Sequence, residues 1–292
     1  MRIPRYWAKG EFQVADARGN PTAFDGWGWS FHSVDEARAN GREQARRIAE
    51  FVASGRDPGR FGYSGYGDRP IREEIKEALV HCGQEIGLIT RNAYGSLVLN
   101  SPCVLFADLD FPTVVEPPPG FVNRLKFAFS PRFRRACRRT DEQAVWNRVR
   151  AWAEANPDRA FRLYRTPSGM RLLMTDRQYE PTAAETIALL ETLGSDPLYV
   201  RLTKNQECFR ARLTPKPYRC GLRPPERHFP FHTPEVEARF RKWEADYDAR
   251  SRSHRACELV GEFGTASSDE IIAQIVRLHD ERACQPAGAP LA

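Results

Sequence analysis

Two aspartates at alternate positions, Asp108 and Asp110, close the stretch CVLFADLDFP from Cys103 to Pro112. The residues before them, Cys103 to Ala107, are apolar or small, the composition of a buried strand. Alternate residues of a strand share a face, so both carboxylates are expected to point the same way at the strand's C-terminal end. Unpaired, they would repel each other and lose hydration. A hard divalent cation removes both penalties. Mg²⁺ or Mn²⁺ suits oxygen ligands, and Mg²⁺ is commonly held by one or two carboxylates together with substrate phosphates. Two such ions can stabilise the attacking and leaving oxygens of a phosphoryl transfer. The same residues admit a plainer use, with Asp108 capping a turn and Asp110 paired with a nearby arginine.

The basic residues are concentrated. The 292-residue chain carries a net charge of +6, yet Gly120 to Arg177 holds fourteen Lys/Arg against five Asp/Glu, and Val200 to His228 eight against two. Such an excess suits an anionic partner, nucleic acid or nucleotide phosphate, and equally a solvated basic face. Arg165, Arg171, Arg210, Arg212, Lys216 and Arg219 form the candidate anion-binding set. Arg210 and Arg212 alternate and should share a strand face. Ser168 and Gly169 either offer backbone N–H groups to a phosphate or only make a hairpin turn. Salt bridges to surface carboxylates are the competing use of each cation.

Other chemistries find less support. The segments DGWGWSFH and FGYSGYGDRP offer aromatic faces for base stacking or for ordinary packing. The six histidines lack metal-ligand spacing, and only His228 and His232, flanking FPF, are weak ligand candidates. The seven cysteines contain no CxxC and are odd in number, which argues against a disulfide framework or zinc knuckle and for small buried hydrophobes. No P-loop, GxGxxG or GxSxG occurs.

The elements that must position these residues can be read from pattern. The first 30 residues suggest a hairpin about a Gly19-Asn20-Pro21 turn. Ser33 with Glu36 predicts a helix that ends at Gly55. The turn-rich run GRDPGRFGYSGYGDRP leads to a second predicted helix, with Pro70 at its start and Gly83 at its end. Short β runs follow at Ile86 to Thr90 and Ser96 to Asn100. From Cys103 the order reads strand, a helix capped near Thr140, strands Phe161 to Arg165 and Met170 to Thr175, a helix Thr182 to Leu193, and a strand Glu207 to Leu213. That β-α-β-β-α-β order is ferredoxin-like, one sheet backed by two helices. Helices over Thr233 to Arg250 and Ser268 to Ala283 close the chain, and the tail CQPAGAPLA reads as disordered.

At these residues the sequence resembles the archaeo-eukaryotic primase superfamily, the primase-polymerases. VLFADLDFP looks like the family's first motif, in which two acidic residues close the first core strand and bind catalytic metal. YRTPSGMRLLM, Tyr164 to Met174, looks like the second, a Ser-Gly turn entering a strand. DPLYVRLTKNQECFRARLTPKP, Asp196 to Pro217, is loosely similar to the third, an acidic residue followed by a strand and a phosphate-contacting basic segment. The resemblance spans about 115 residues, Cys103 to Pro217. It implies a metal-dependent nucleotidyltransferase acting on nucleic acid with a nucleotide triphosphate. Asp108 and Asp110 would be catalytic and metal-binding, with Asp196 a third ligand. Arg165, Ser168, Arg171, Arg210, Arg212 and Lys216 would contact nucleotide or nucleic acid. Where the family carries a triphosphate-contacting histidine, this chain has Arg171, and the turn is one residue shorter. The alternative is a non-catalytic nucleic-acid or nucleotide-binding protein that retains the fold.

The length allows one large or two modest domains with a sizeable core. The expected class is α+β, with a ferredoxin-like, RRM-like core at residues 101–220, an N-terminal accessory module at 1–100 and a helical extension at 221–292. No apolar run approaches the roughly 20 residues of a membrane span, and the first residues lack a signal-peptide core. A cytoplasmic protein with no membrane partner is the expectation.

Overall fold

A computed structural model describes residues 1–15, 21–54, 70–227 and 229–292. Most of the Gly19-Asn20-Pro21 turn, most of the run from Gly55 to Pro70, and His228 lie outside the described residues.

The chain opens with the expected hairpin, β1 (Tyr6–Ala15) and β2 (Pro21–Ser30), antiparallel with Trp7 opposite Trp29. Helix α1 (Val34–Ala53) follows, and its first turn is closed by the Ser33 hydroxyl, which accepts from the Glu36 N–H. This helix lies almost in backbone contact with the hairpin. A Cβ at Gly41 would stand 2.7 Å from the Gly10 nitrogen and 2.9 Å from the Gly26 oxygen, so only glycine fits the crossing.

Three strands come next, β3 (Glu74–His81), β4 (Gln84–Arg91) and β5 (Leu97–Ser101). The helix expected between Pro70 and Gly83 is therefore a strand. Register shifts between Ile75 and Glu77 and between Leu79 and Val80 break its period of two, so its apolar spacing imitates a helix. Cys82 and Gly83, both at positive φ (48° and 81°), make the two-residue turn that joins it to β4.

The middle of the chain holds β6 (Phe106–Asp110), β7 (Thr113–Val115), α2 (Phe121–Phe129), α3 (Pro131–Ala136), β8 (Arg138–Thr140), α4 (Glu142–Ala155), β9 (Phe161–Thr166), β10 (Gly169–Met174), α5 (Ala184–Leu193), α6 (Pro197–Gln206) and β11 (Phe209–Arg212). Helix α7 (Pro234–Ser251), strand β12 (Glu258–Phe263) and helix α8 (Glu270–Ala283) complete it. β6 starts three residues later than the expected strand, which places Asp108 and Asp110 inside it. Where a strand was expected after Asp196, the chain forms α6, because Asp196 caps and Pro197 opens a helix.

The class is α+β. One antiparallel sheet has the order β12-β9-β10-β6, and a second has the order β11-β5-β4-β3. Of the four strands in the expected βαββαβ series, β9, β10 and β6 are neighbours. The fourth, β11, hydrogen-bonds to β5 instead of to β6. The Tyr199 hydroxyl sits at the seam, donating to the Phe106 carbonyl at 2.8 Å and to the Arg210 carbonyl at 3.2 Å. The expected boundary near residue 100 thus divides strands of one sheet, and among the described residues one large apolar cluster runs from Ile86 to Ala283, with a smaller one of Ile3, Ile71, Leu88 and Cys208 beside it. The tail expected to be disordered is packed. Leu291 bridges to Arg255, and Ala292 is 6% exposed. No helix among the described residues is long and apolar enough to cross a membrane.

Candidate anion-binding cleft

β10 pairs with β6 so that Arg171 faces Asp108 and Gly169 faces Asp110. A Cβ at Gly169 would lie 2.3 Å from the Leu109 carbonyl oxygen, so the strands approach this closely only because the residue is glycine. Phe106, Asp108, Asp110, Arg171 and, from β9, Tyr164 share one sheet face. At the end of that face is a cleft of about 60 Å³, lined by Asp108, Asp110, Ser168, Arg171, Arg212, Lys216 and Arg219 among others.

Two of the lining cations have no partner. Among the described residues, neither the Arg212 guanidinium nor the Lys216 ammonium makes an internal hydrogen bond or ion pair. Burial lowers the pKa of each, and repulsion adds to it, from Arg171 on Arg212 and from Arg212 on Lys216. At the mouth, Arg219 Nη2 donates to the Ser168 hydroxyl at 2.6 Å.

Arg171 is engaged inside the protein. It is 2% exposed, its Nε donates to Asp108 Oδ1 at 3.2 Å, and its Nη1 donates to the Arg212 carbonyl at 2.9 Å. Burial opposes its charge, but Asp108, together with Cys257 and Tyr199, outweighs this and raises its pKa. It projects from the face of Asp108, as a shared substrate contact would require, yet its donors are turned inward.

Asp110 remains open to solvent at the strand end. Partial burial, then Asp196, then Asp108 raise its pKa. Asp196 is close enough to act on it, but its carboxylate accepts from the Leu198 N–H as the cap of α6. Asp108, Asp110 and Asp196 do not converge into a three-ligand cluster among the described residues. A Mg²⁺ or Mn²⁺ ion would therefore find Asp110 and one oxygen of Asp108, since the other already accepts from Arg171. That is a thin donor set, one in which a phosphate ligand must supply much of the coordination.

The remaining candidates lie elsewhere. Arg165 sits on the opposite sheet face, where it pairs with Glu142 of α4 at 2.8 and 3.0 Å. Arg210 is half-buried in the second sheet, with Nη2 at 2.7 Å from both Glu73 oxygens. Trp27 and Trp29 of the DGWGWSFH segment pack edge-on against His232 and Phe31. A larger groove, about 620 Å³, runs between β12 and α8, but its Arg162 is already paired with Glu262 and Asp280.

One group escaped sequence reasoning. Cys257, His279 and Cys284 come together directly behind Arg171, with ligand atoms all within 4.8 Å of one another. His279 lies 22 positions after Cys257 and five before Cys284, a spacing that carries no local signal. No family model, curated protein or solved structure matches the chain.

Proposed function

We propose that the cleft binds phosphate groups, and that the protein is a nucleotide- or nucleic-acid-binding protein built on a ferredoxin-like sheet of primase-polymerase type. One observation carries this reading. Arg212 and Lys216 are held together, partly desolvated and unpaired, beside a Ser-Gly turn. Such cations repel each other, and an anion between them removes that cost while accepting charge-assisted hydrogen bonds. The order β9-β10-β6, with α4 and α5 on the face opposite Asp108, supports the sheet assignment. The pairing of Asp108 with Arg171 favours binding over catalysis, because it neutralises the carboxylate a catalytic metal would use.

A second reading, metal-dependent nucleotidyl transfer, is favoured by Asp110, whose neighbours Asp108 and Asp196 make it a carboxylate short of positive charge. In that reading Asp110 and the second oxygen of Asp108 hold Mg²⁺ or Mn²⁺, and the ion, when bound, neutralises phosphate charge. Calorimetric titration with a nucleotide triphosphate, in chelator and in Mg²⁺, separates the two. Binding in chelator that falls by about 10- to 150-fold in Arg212→Ala, the range for a charge-assisted hydrogen bond, supports the first. Binding that needs the metal, together with extension of a primed template, supports the second. Absence of binding in both conditions excludes both.

A further inference from the structure

We propose that Cys257, His279 and Cys284 form a site for a borderline-soft divalent cation, Zn²⁺ above all. The proposal is independent of the phosphate cleft. Cys257 Sγ lies 3.7 Å from Cys284 Sγ and 3.8 Å from His279 Nε2. With Zn–S near 2.3 Å and Zn–N near 2.0–2.1 Å, the edges of a tetrahedral site are about 3.8 and 3.6 Å. Two of the three edges therefore already stand at coordination spacing, and the third, between Cys284 and His279, is within 4.8 Å and closes by a small side-chain adjustment.

The surroundings hold them there. Cys257 precedes β12, and His279 and Cys284 sit on α8 and its C-cap. The Cys257 N–H donates to the Ala283 carbonyl at 3.1 Å, which ties the two segments together. Asp280 Oδ1 lies 3.2 Å from His279 Nδ1, and the same carboxylate accepts from the Tyr164 hydroxyl at 2.7 Å and pairs with Arg162 at 2.9 Å. A proton on Nδ1 facing Asp280 leaves the Nε2 lone pair directed at the cysteines. This is the carboxylate–histidine arrangement that orients a metal-bound imidazole. Arg171 Nη1, now 3.3 Å from Nε2, turns away from that nitrogen on metal binding and keeps its bond to the Arg212 carbonyl.

The charges balance. Two thiols lose their protons to solvent as the ion enters, so two thiolates match the dication and the site gains no net charge. His279 is fully buried, Cys257 is buried, and Cys284 is partly exposed, which leaves a route for the ion. A fourth position falls to water, as in sites with three protein ligands. The set S₂N selects Zn²⁺ over Mg²⁺ or Mn²⁺, which prefer oxygen.

Titration of the reduced, full-length protein with Co²⁺ tests the proposal, because thiolate–cobalt charge transfer is visible whatever the protein does. One equivalent should produce charge-transfer absorption in the near ultraviolet and tetrahedral d–d bands, and Zn²⁺ should displace it. Cys257→Ser and Cys284→Ser should abolish the absorption. Asp280→Asn, a change at the positioning carboxylate, should weaken Co²⁺ binding by about 10- to 100-fold while the charge-transfer band persists at saturation. Circular dichroism of each variant, and the melting temperature of wild type with and without Zn²⁺, keep the test valid if a variant unfolds. A wild-type protein that shows no cobalt–thiolate band and no Zn²⁺-dependent stabilisation overturns the proposal. So does isolation of the native protein with a Cys257–Cys284 disulfide and no metal.

Discussion

Asp108 and Asp110 sit two residues apart on one strand yet meet different fates. Asp108 accepts from Arg171, while the Asp110 carboxylate makes no hydrogen bond or ion pair among the described residues, and the pull of Lys216 and Arg212 on it is outweighed by burial and the neighbouring carboxylates. A carboxyl whose folded pKa is raised binds its proton more tightly folded than unfolded. Its stabilising contribution is complete below the ordinary value of 3.8 and is lost as pH rises through the raised folded value. Asp110→Asn is therefore expected to melt higher than wild type at neutral pH. That advantage should vanish below the ordinary carboxyl range, and because the side chain reaches solvent it should be small. Thermal melts across pH read it directly, and an advantage that persists in acid would contradict the assignment. Arg171 makes the opposite case. Arg171→Met removes a buried donor to Asp108 and to the Arg212 carbonyl, and should cost about 1–3 kcal/mol in urea unfolding. A neutral result would mean that the guanidinium is not a clamp.

The site depends on how elements meet as much as on which residues they carry. β10 reaches β6 through Gly169, and the turn before it forms one wall of the cleft. Gly169→Ala sets a methyl against the Leu109 carbonyl and should cost about 1–3 kcal/mol, the range for overpacking. It should also weaken triphosphate binding, since the Ser168-Gly169 turn that walls the cleft would shift. Unchanged amide exchange across β6 and β10 in that variant would refute the close approach. The second sheet is fastened differently. Arg210 of β11 is held by Glu73 just before β3, and Glu73 also accepts from the Thr90 hydroxyl of β4. Glu73→Gln strands the Arg210 guanidinium and should destabilise by about 3–5 kcal/mol, read by denaturant titration. Without that pair, β11 would lose its anchor to the outer strands.

For the whole molecule, charge is the organising quantity. Residues 120–139 include seven Lys/Arg and no acid, and they fold into α2, α3 and β8, of which the two helices bury no side chain. Phe121 and Phe129 are 78% and 81% exposed there. If the proposed phosphate partner is a nucleic acid, affinity should fall steeply with salt, through counterion release. Arg212→Ala combined with Lys216→Ala should then lower the slope of log affinity against log salt by about 1.4, roughly 0.7 for each phosphate of a single strand that is no longer neutralised. Fluorescence anisotropy with a single-stranded oligonucleotide measures it. An unchanged slope would place the phosphates outside the cleft.

Local chemistry settled much of this protein. The Ser33 cap, the left-handed Gly194 that ends α5 and the apolar run of β10 are short-range facts, dictated by hydrogen bonding and side-chain chemistry. So is the shared face of Asp108 and Asp110. What sequence alone left open was pairing at long range. Nothing near Arg210 or Arg212 marks one for Glu73 and leaves the other unpaired, because Glu73 is more than 130 positions away. The strand β3 misread as a helix because bulges, which depend on its partner, disturbed its period. β11 pairs with β5 across more than 100 positions of sequence, while the Tyr199 hydroxyl bridges it to β6. Cys257, His279 and Cys284 meet only because β12 joins the sheet beside β9 and α8 folds onto the sheet face that bears Arg171. Sequence determined which residues carry charge, thiol and turn; the tertiary structure decided which of them are neighbours, since neighbours across a core share no local rule.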